Sequence, residues 1–366
     1  MNSIPFVPSR DERASNELRA LYRSYGYVPY KMSKFEEYDL YVRNKDFLVS
    51  DNVITFTDTN GRLMALKPDV TLSIIKNGRD VPGQVEKVYY NENVYRISKG
   101  THAYKEIMQT GLECIGEIDD YRISEVVALA VESLKRISDE CVLDLSHLGI
   151  VSALLERANL SAEGTKELFT FLGEKNLHGA MEICKNEGIE ESYAEQIRAL
   201  ITTYGAPDRV LPVLKTLSPA VQPAVRQLET VVEALCENGL ADKIRIDFSV
   251  IHHMSYYNGI VFRGFVAGIP TGILSGGEYD KLLKKMGRKS KAIGFAVYLD
   301  LLEELSEDSE YDVDTVLLYD ETDAPSAVAK ALRLLTKEGT VTALRSIPPK
   351  MKYRICKTVK EVANRG

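Results

Sequence analysis

The chain has 366 residues, 45% of them hydrophobic and 27% charged, the composition of an ordinary globular protein long enough for roughly two to three domains. Its net charge of −7 argues against a dedicated nucleic-acid binder, whose footprint is a basic surface. No apolar run approaches the roughly 18 residues needed to span a bilayer, and Met1 to Arg10 lacks the apolar core of a signal peptide.

Residues 14–26 read as a helix, with Leu18, Leu21 and Tyr22 on one face and Gly26 as its stop. Residues 46–66 read as strands, joined at Asp58-Thr59-Asn60-Gly61, a strong hairpin signal. Pro68 ends the second strand, and Asp69 or Thr71 starts a helix at 71–76. Strand signals follow at Lys87–Tyr90, Asn93–Arg96 and Ile107–Ile115, broken by a polar loop at 97–105. With no helix between them, this sheet is expected to be antiparallel. Residues 124–138 are helical, with Val127, Val131 and Leu134 in register.

From about 146 to 240 the periodicity is helical almost throughout. The clearest stretch is 219–238, where Val221, Val225, Leu228, Val232 and Leu235 form one stripe before Gly239. Alternation returns at 243–250, followed by an expected hairpin turn at Asn258-Gly259, then Gly276-Gly277 and an apolar segment at 292–304. An acidic run at 303–314 reads as a linker, and 315–366 as a small appendage of strand, helix (324–338), strand and a further strand.

The five cysteines are scattered, with no Cys-x-x-Cys pair, which fits a reduced, cytoplasmic protein without a zinc site. His252 and His253 are neighbours, and on a strand they point to opposite faces, so no metal centre is expected there. No phosphate-binding loop, dinucleotide fingerprint or nucleophile elbow occurs, and no cofactor is expected.

Polar residues inside apolar strands mark the candidate site. Gln109, Gly111 and Glu113 share one strand face, with the glycine leaving room above the sheet for a ligand. Asp69 and Thr71 follow Pro68 and also suit helix capping. Arg96 ends a strand and suits an anion or solvent. Tyr256 and Tyr257 bring two phenols, which also suit packing. Together these groups fit an amino acid better than a phosphate.

In order along the chain, LKPDVT (66–71), VYR (94–96), QTGLECIG (109–116), SYYNGIVF (255–262), GGEYD (276–280) and AIGFAVYLD (292–300) resemble the class II histidyl-tRNA synthetase core over about 1–305. The resemblance implies an α+β fold: an antiparallel sheet core with flanking helices (1–145 and 240–305), a helical insertion (146–239) and a small C-terminal α/β segment (315–366). It implies that Asp69, Thr71 and Gln109 bind an α-amino group. Glu113 and Tyr257 would bind an imidazole with Tyr256 beside them, and Arg96 matches the arginine of the second motif.

The departures from that family bear on activity. Arginines usual in it are replaced by Lys67, Lys105, His252, Glu278 and Leu301, which removes positive charge from a phosphoryl transition state. A proline usual near 33 is missing from KMSKFEE, which bears on the dimer interface. A pocket kept for histidine without adenylation resembles the regulatory subunits of ATP phosphoribosyltransferase. That resemblance implies a non-catalytic protein with L-histidine as ligand, self-association as a dimer and a short catalytic subunit as partner in a hetero-octamer. The alternatives are a divergent synthetase, or a synthetase-like tRNA-binding regulator. The lysine- and arginine-rich 281–291 run favours the latter and the acidic net charge opposes it.

Overall fold

The computed structural model describes residues 9–48, 53–98, 102–250, 257–304 and 311–363. Ala14–Leu302 form one compact unit, and the described C-terminal residues belong to a second.

Helix α1 (Arg10–Ser24), part of the larger unit from Ala14 onward, buries Leu18, Leu21 and Tyr22 as its spacing requires and ends before Gly26 at φ +82°. A small sheet follows: β2 (Phe35–Glu37) and β3 (Thr55–Thr57) flank β4 (Leu63–Leu66), while the two-residue β1 (Val28–Pro29) joins the main sheet. The Asp58 carboxylate closes the β3–β4 turn by accepting the Asn60 and Arg62 N–H groups at 2.8 Å. Helix α2 (Tyr38–Arg43) lies between β2 and β3, and α3 (Thr71–Asn77) follows β4.

The main sheet is eight-stranded and mixed. Its long members are β5 (Val85–Ile97) and β6 (Tyr104–Gly116), single strands of 13 residues each, paired from Val85–Gly116 to Ile97–Tyr104. After α4 (Asp120–Ile137) comes β7 (Cys141–His147), then six helices: α5 (Leu148–Ala158), α6 (Ala162–Gly173), α7 (Leu177–Asn186), α8 (Glu191–Thr202), α9 (Pro207–Lys215) and α10 (Gln222–Glu237). The chain returns through β8 (Ile244–Ile246), β9 (Ile260–Val266), β10 (Leu274–Glu278), α11 (Asp280–Lys285) and β11 (Lys291–Tyr298). The strand order is β1-β5-β6-β11-β10-β9-β7-β8, parallel only at the β1–β5 and β7–β8 pairs.

Two expectations are corrected here. The alternating stretch 243–250 is a strand only to Ile246. Asp247 donates its N–H to the Leu145 carbonyl, and its carboxylate takes the Ser249 N–H at 2.8 Å, which turns the chain into a short 3₁₀ helix. Asn258-Gly259 does not close a hairpin onto that strand. β9 pairs with β10 and β7, and β7 separates it from β8.

Helix α4 covers one sheet face. Its Val127, Val131 and Leu134 are fully buried, each worth roughly 1.5–3 kcal/mol against exposure. The opposite face carries a second core, in which Leu72 and Ile74 of α3 meet Val88, Tyr90 and Val94 of β5 and Leu282 of α11. Between these elements the sheet is left open, and the candidate site lies there.

The C-terminal unit has β12 (Val313–Leu318), α12 (Pro325–Leu335), β13 (Val341–Leu344), β14 (Tyr353–Thr358) and α13 (Val359–Ala363). Its parallel sheet has the order β13-β12-β14. Leu317, Ala331, Leu335, Val341, Val359 and Val362 form its core.

Candidate functional site

Strand pairing dictates the shape of the site. Side chains opposite each other in a ladder share a face. One row across the sheet reads Tyr90, Gly111, Ala296, Ser275, Arg263 and Asp144. The next row places Glu113 opposite Gly294, and Gly294 opposite Gly277. Small residues in the middle of both rows leave a cavity of about 270 Å³ above the sheet, slightly below the usual range of roughly 300–1,000 Å³ for ligand pockets.

Of the seven expected binding residues, Asp69, Thr71, Arg96, Gln109, Glu113 and Tyr257 all line this cavity. Tyr256 lies outside the described residues, as does His252. One detail differs from expectation. The space above Gly111 is taken by Tyr90, whose hydroxyl would lie 2.5 Å from any Cβ placed there. The stronger demand for glycine is at Gly294, where a Cβ would fall 1.7 Å from a Glu113 oxygen.

Glu113 is the centre of the polar network. It is 2% exposed and accepts hydrogen bonds from the Thr71 hydroxyl at 2.6 Å and the Tyr279 hydroxyl at 2.5 Å. Burial pushes its carboxyl up to about 8. Those two bonds oppose the rise, and the Asp69 charge adds to it. Asp69 takes the Leu72 N–H at 2.8 Å and so caps α3 from just before its first turn. Burial raises its carboxyl too, while the Leu72 N–H and the Arg96 guanidinium hold the rise back. Arg96 donates from Nε to the Pro68 carbonyl at 3.1 Å. Burial pushes the Tyr90 and Tyr257 phenols well up, so both stay protonated.

Sequence reasoning missed Tyr279, Tyr90, Ser275, Tyr298 and Arg263 as lining residues. The GGEYD segment contained Tyr279, but its contact with Glu113 depends on strands far apart in the chain. Ser275 and Tyr298 share a hydroxyl–hydroxyl bond at 3.0 Å at the cavity rim.

Two of the altered positions have structural partners. Lys67 is 1% exposed and ion-paired with Glu92. Glu278 is buried and accepts the Ile260 N–H at 2.7 Å. Burial pushes its carboxyl up to about 7, against that hydrogen bond and with the Asp280 charge. The folded state therefore keeps a proton that the unfolded chain releases above about pH 4.5, and stability falls as pH rises from there to about 7. Glu278→Gln keeps the acceptor and cannot ionise. Thermal melts are expected to show its midpoint about 5–10 °C above wild type at pH 8 and equal to it at pH 4.

Among the described residues no group of histidine, cysteine and acidic side chains is arranged to hold a metal ion. No helix among them is long and apolar enough to cross a membrane.

Comparison with known proteins follows the same lines. The family model described as histidyl-tRNA synthetase matches residues 5–302. An ATP phosphoribosyltransferase regulatory subunit of Caldanaerobacter subterraneus subsp. tengcongensis is 30% identical over 355 residues, covering 93% of this chain and 92% of that protein. Among solved structures, one described as an ATP phosphoribosyltransferase regulatory subunit/histidyl-tRNA synthetase from Bacillus halodurans has a TM-score of 0.77 at 24% identity. It covers 98% of this chain and 97% of the other. An ATP phosphoribosyl transferase (HisG:HisZ) complex from Thermotoga maritima gives a TM-score of 0.63 at 20% identity, over 80% of this chain and 98% of the matched one. These two share the fold: an α+β architecture with a mixed sheet and flanking helices, like that of histidyl-tRNA synthetases.

Proposed function

The chain belongs to the histidyl-tRNA synthetase family and, within it, to the regulatory subunits of ATP phosphoribosyltransferase, and we propose that its cavity senses L-histidine for feedback inhibition. It is the regulatory, non-catalytic component of that transferase in histidine biosynthesis, required by a short catalytic subunit. The carrying observation is the convergence of Asp69, Thr71, Arg96, Gln109, Glu113 and Tyr257 on one small cavity. Carboxyls and a guanidinium in one enclosed space suit a zwitterion with a basic ring. Asp69 and Gln109 serve the ammonium beside Thr71, while Glu113 and Tyr257 serve the imidazole, with Tyr256 at the same ligand. Arg96 opposes the rise that burial imposes on the Asp69 carboxyl.

The histidine site belongs to residues 1–145 and 240–305, with 146–239 an inserted helical domain and 315–366 a separate α/β segment. The partner is the short catalytic chain, in a cytoplasmic hetero-octamer containing a dimer of this chain. The five cysteines are all free, in keeping with a reducing compartment. Phe35 and Phe56 meet edge to face at 5.3 Å on one face of the small sheet, and both are exposed. That apolar patch supports self-association.

A feedback inhibitor must bind the inhibited state of the complex better than the active one, and the coupling is reciprocal. The test is a histidine titration of the assembled transferase. Gln109→Ala is expected to leave assembly intact and to shift inhibition to about tenfold higher histidine, since one buried hydrogen bond to an ammonium is lost. Identical curves for variant and wild type would place inhibition elsewhere. Histidine-dependent exchange of pyrophosphate into ATP by the purified chain would restore an adenylating function.

A further inference from the structure

The cavity holds a second cation that the histidine reading has not used. Arg263 of β9 stands in the row that begins with Tyr90; the Tyr90 ring covers Gly111, and Ala296 and Ser275 lie between the ring and Arg263 as a low floor. Arg263 and Glu113 are thus on strands three apart, about 14 Å across the sheet at the usual strand spacing, and in adjacent rows. A ligand lying across the floor has an acid at one end and a guanidinium at the other. The arm of Arg263 is laid over Gly272, another lining residue, so closely that a Cβ there would come within 2.3 Å of Nε.

The two lining arginines differ in what already occupies them. Arg96 donates to the Pro68 carbonyl and faces the Asp69 charge. Arg263 is half-buried and has no hydrogen bond or ion pair to any described residue. Its neighbours are the Phe265 ring, 5.5 Å from the guanidinium carbon, and Asp144, opposite it on β7. A guanidinium presents paired N–H donors that match both oxygens of a carboxylate, and partial burial strengthens such a pair.

We propose that Arg263 binds the carboxylate of the amino-acid ligand and so makes the cavity selective for the free amino acid over the corresponding amine. This rests on the histidine reading of the cavity. The ammonium and ring are held on the β6 side by Asp69, Gln109 and Glu113, and the carboxylate reaches across Ser275 to β9. Asp144 stands opposite Arg263 on β7 without an ion pair to it, so the guanidinium is available to a ligand.

Titration calorimetry on the full chain tests this with L-histidine and with histamine, which keeps the amine and ring and lacks the carboxylate. Wild type is expected to bind histidine about 10–100-fold more tightly than histamine. Arg263→Gln is expected to weaken histidine by the same factor while changing histamine less than about threefold, so that the two ligands become nearly equal. Arg263→Lys, which keeps the charge and loses the fork, is expected to recover part of the preference. Unchanged histidine affinity in Arg263→Gln would overturn the assignment. So would an equal loss of both ligands, which indicates a structural role for Arg263. A wild-type protein that binds neither ligand would overturn the histidine reading itself, and this assignment with it.

Discussion

Replacing Glu113 with glutamine is expected to weaken histidine binding by about 10–100-fold and to stabilise the unliganded protein at neutral pH. The first effect follows from charge. The Glu113 carboxyl, protonated in the empty cavity at neutral pH, can pass its proton to the bound imidazole and form a charge-assisted pair worth roughly 1.5–3 kcal/mol, which the amide cannot. The second follows from the raised carboxyl. In the unfolded chain Glu113 ionises near 4.5, whereas burial holds it to about 8 in the fold. The folded state binds the extra proton between those values, so stability present below about pH 4.5 is lost progressively as pH rises to about 8. Glutamine removes that loss, of the order of 3 kcal/mol at pH 7. The Thr71 and Tyr279 hydroxyls can rotate to meet an amide as they meet an acid. Calorimetric titration checks the first effect, and melts at pH 5 and pH 8 check the second. Unchanged affinity would take Glu113 out of the binding site, and equal melts at both pH values would contradict its raised carboxyl.

Filling the floor of the cavity is expected to do more. At Gly294 a Cβ would lie 1.7 Å from Glu113 Oε2 and 2.5 Å from the Leu112 carbonyl. The first clash displaces the carboxylate from Thr71 and Tyr279. The second presses on the backbone of β6. Gly294→Val is therefore expected to lower stability by about 1–3 kcal/mol, the range for overpacking, and to weaken histidine binding more than 100-fold. The same substitution at the exposed Gly61, in the β3–β4 turn, serves as a distant comparison and is expected to leave binding unchanged. Measured affinity of Gly294→Val within tenfold of wild type would show that ligand does not approach this floor.

Both predictions start from residues legible in the sequence to different degrees. Glu113 stood out because a carboxylate two positions from Gly111 in an apolar strand breaks the pattern, and strand alternation placed Gln109 on the same face. Asp69 was legible through Pro68 and the helix that follows, and its capping bond to Leu72 is present. The turn at Asp58 was legible because an aspartate followed by Asn-Gly satisfies its own backbone. Arg263 was not. A lone arginine in a strand also reads as an exposed edge position, and only its register against Ser275 and Asp144 places it over the cavity. Tyr279 bonds to a carboxylate 166 positions earlier in the chain, and nothing local signals such a pairing. The overrun of the strand past Ile246 has the opposite origin. The apolar alternation continues to Val250, but Asp247 takes the backbone out of the ladder.

The position of β11 between β6 and β10 governs how the protein is made. During synthesis β6 has β5 on one side and an open edge on the other until residues Lys291–Tyr298 emerge, about 180 residues later. An uncovered strand edge of that length is an invitation to pair with the wrong chain, and closing it requires a contact between distant segments that form slowly. The helices from α5 to α10 can fold during this interval, since their contacts are largely local. The ligand cavity cannot, because Gly294, Ala296 and Tyr298 arrive with the last strand. A nascent or truncated chain ending before that strand would carry Gln109 and Glu113 on an unsealed edge, insensitive to the small molecule and prone to aggregation.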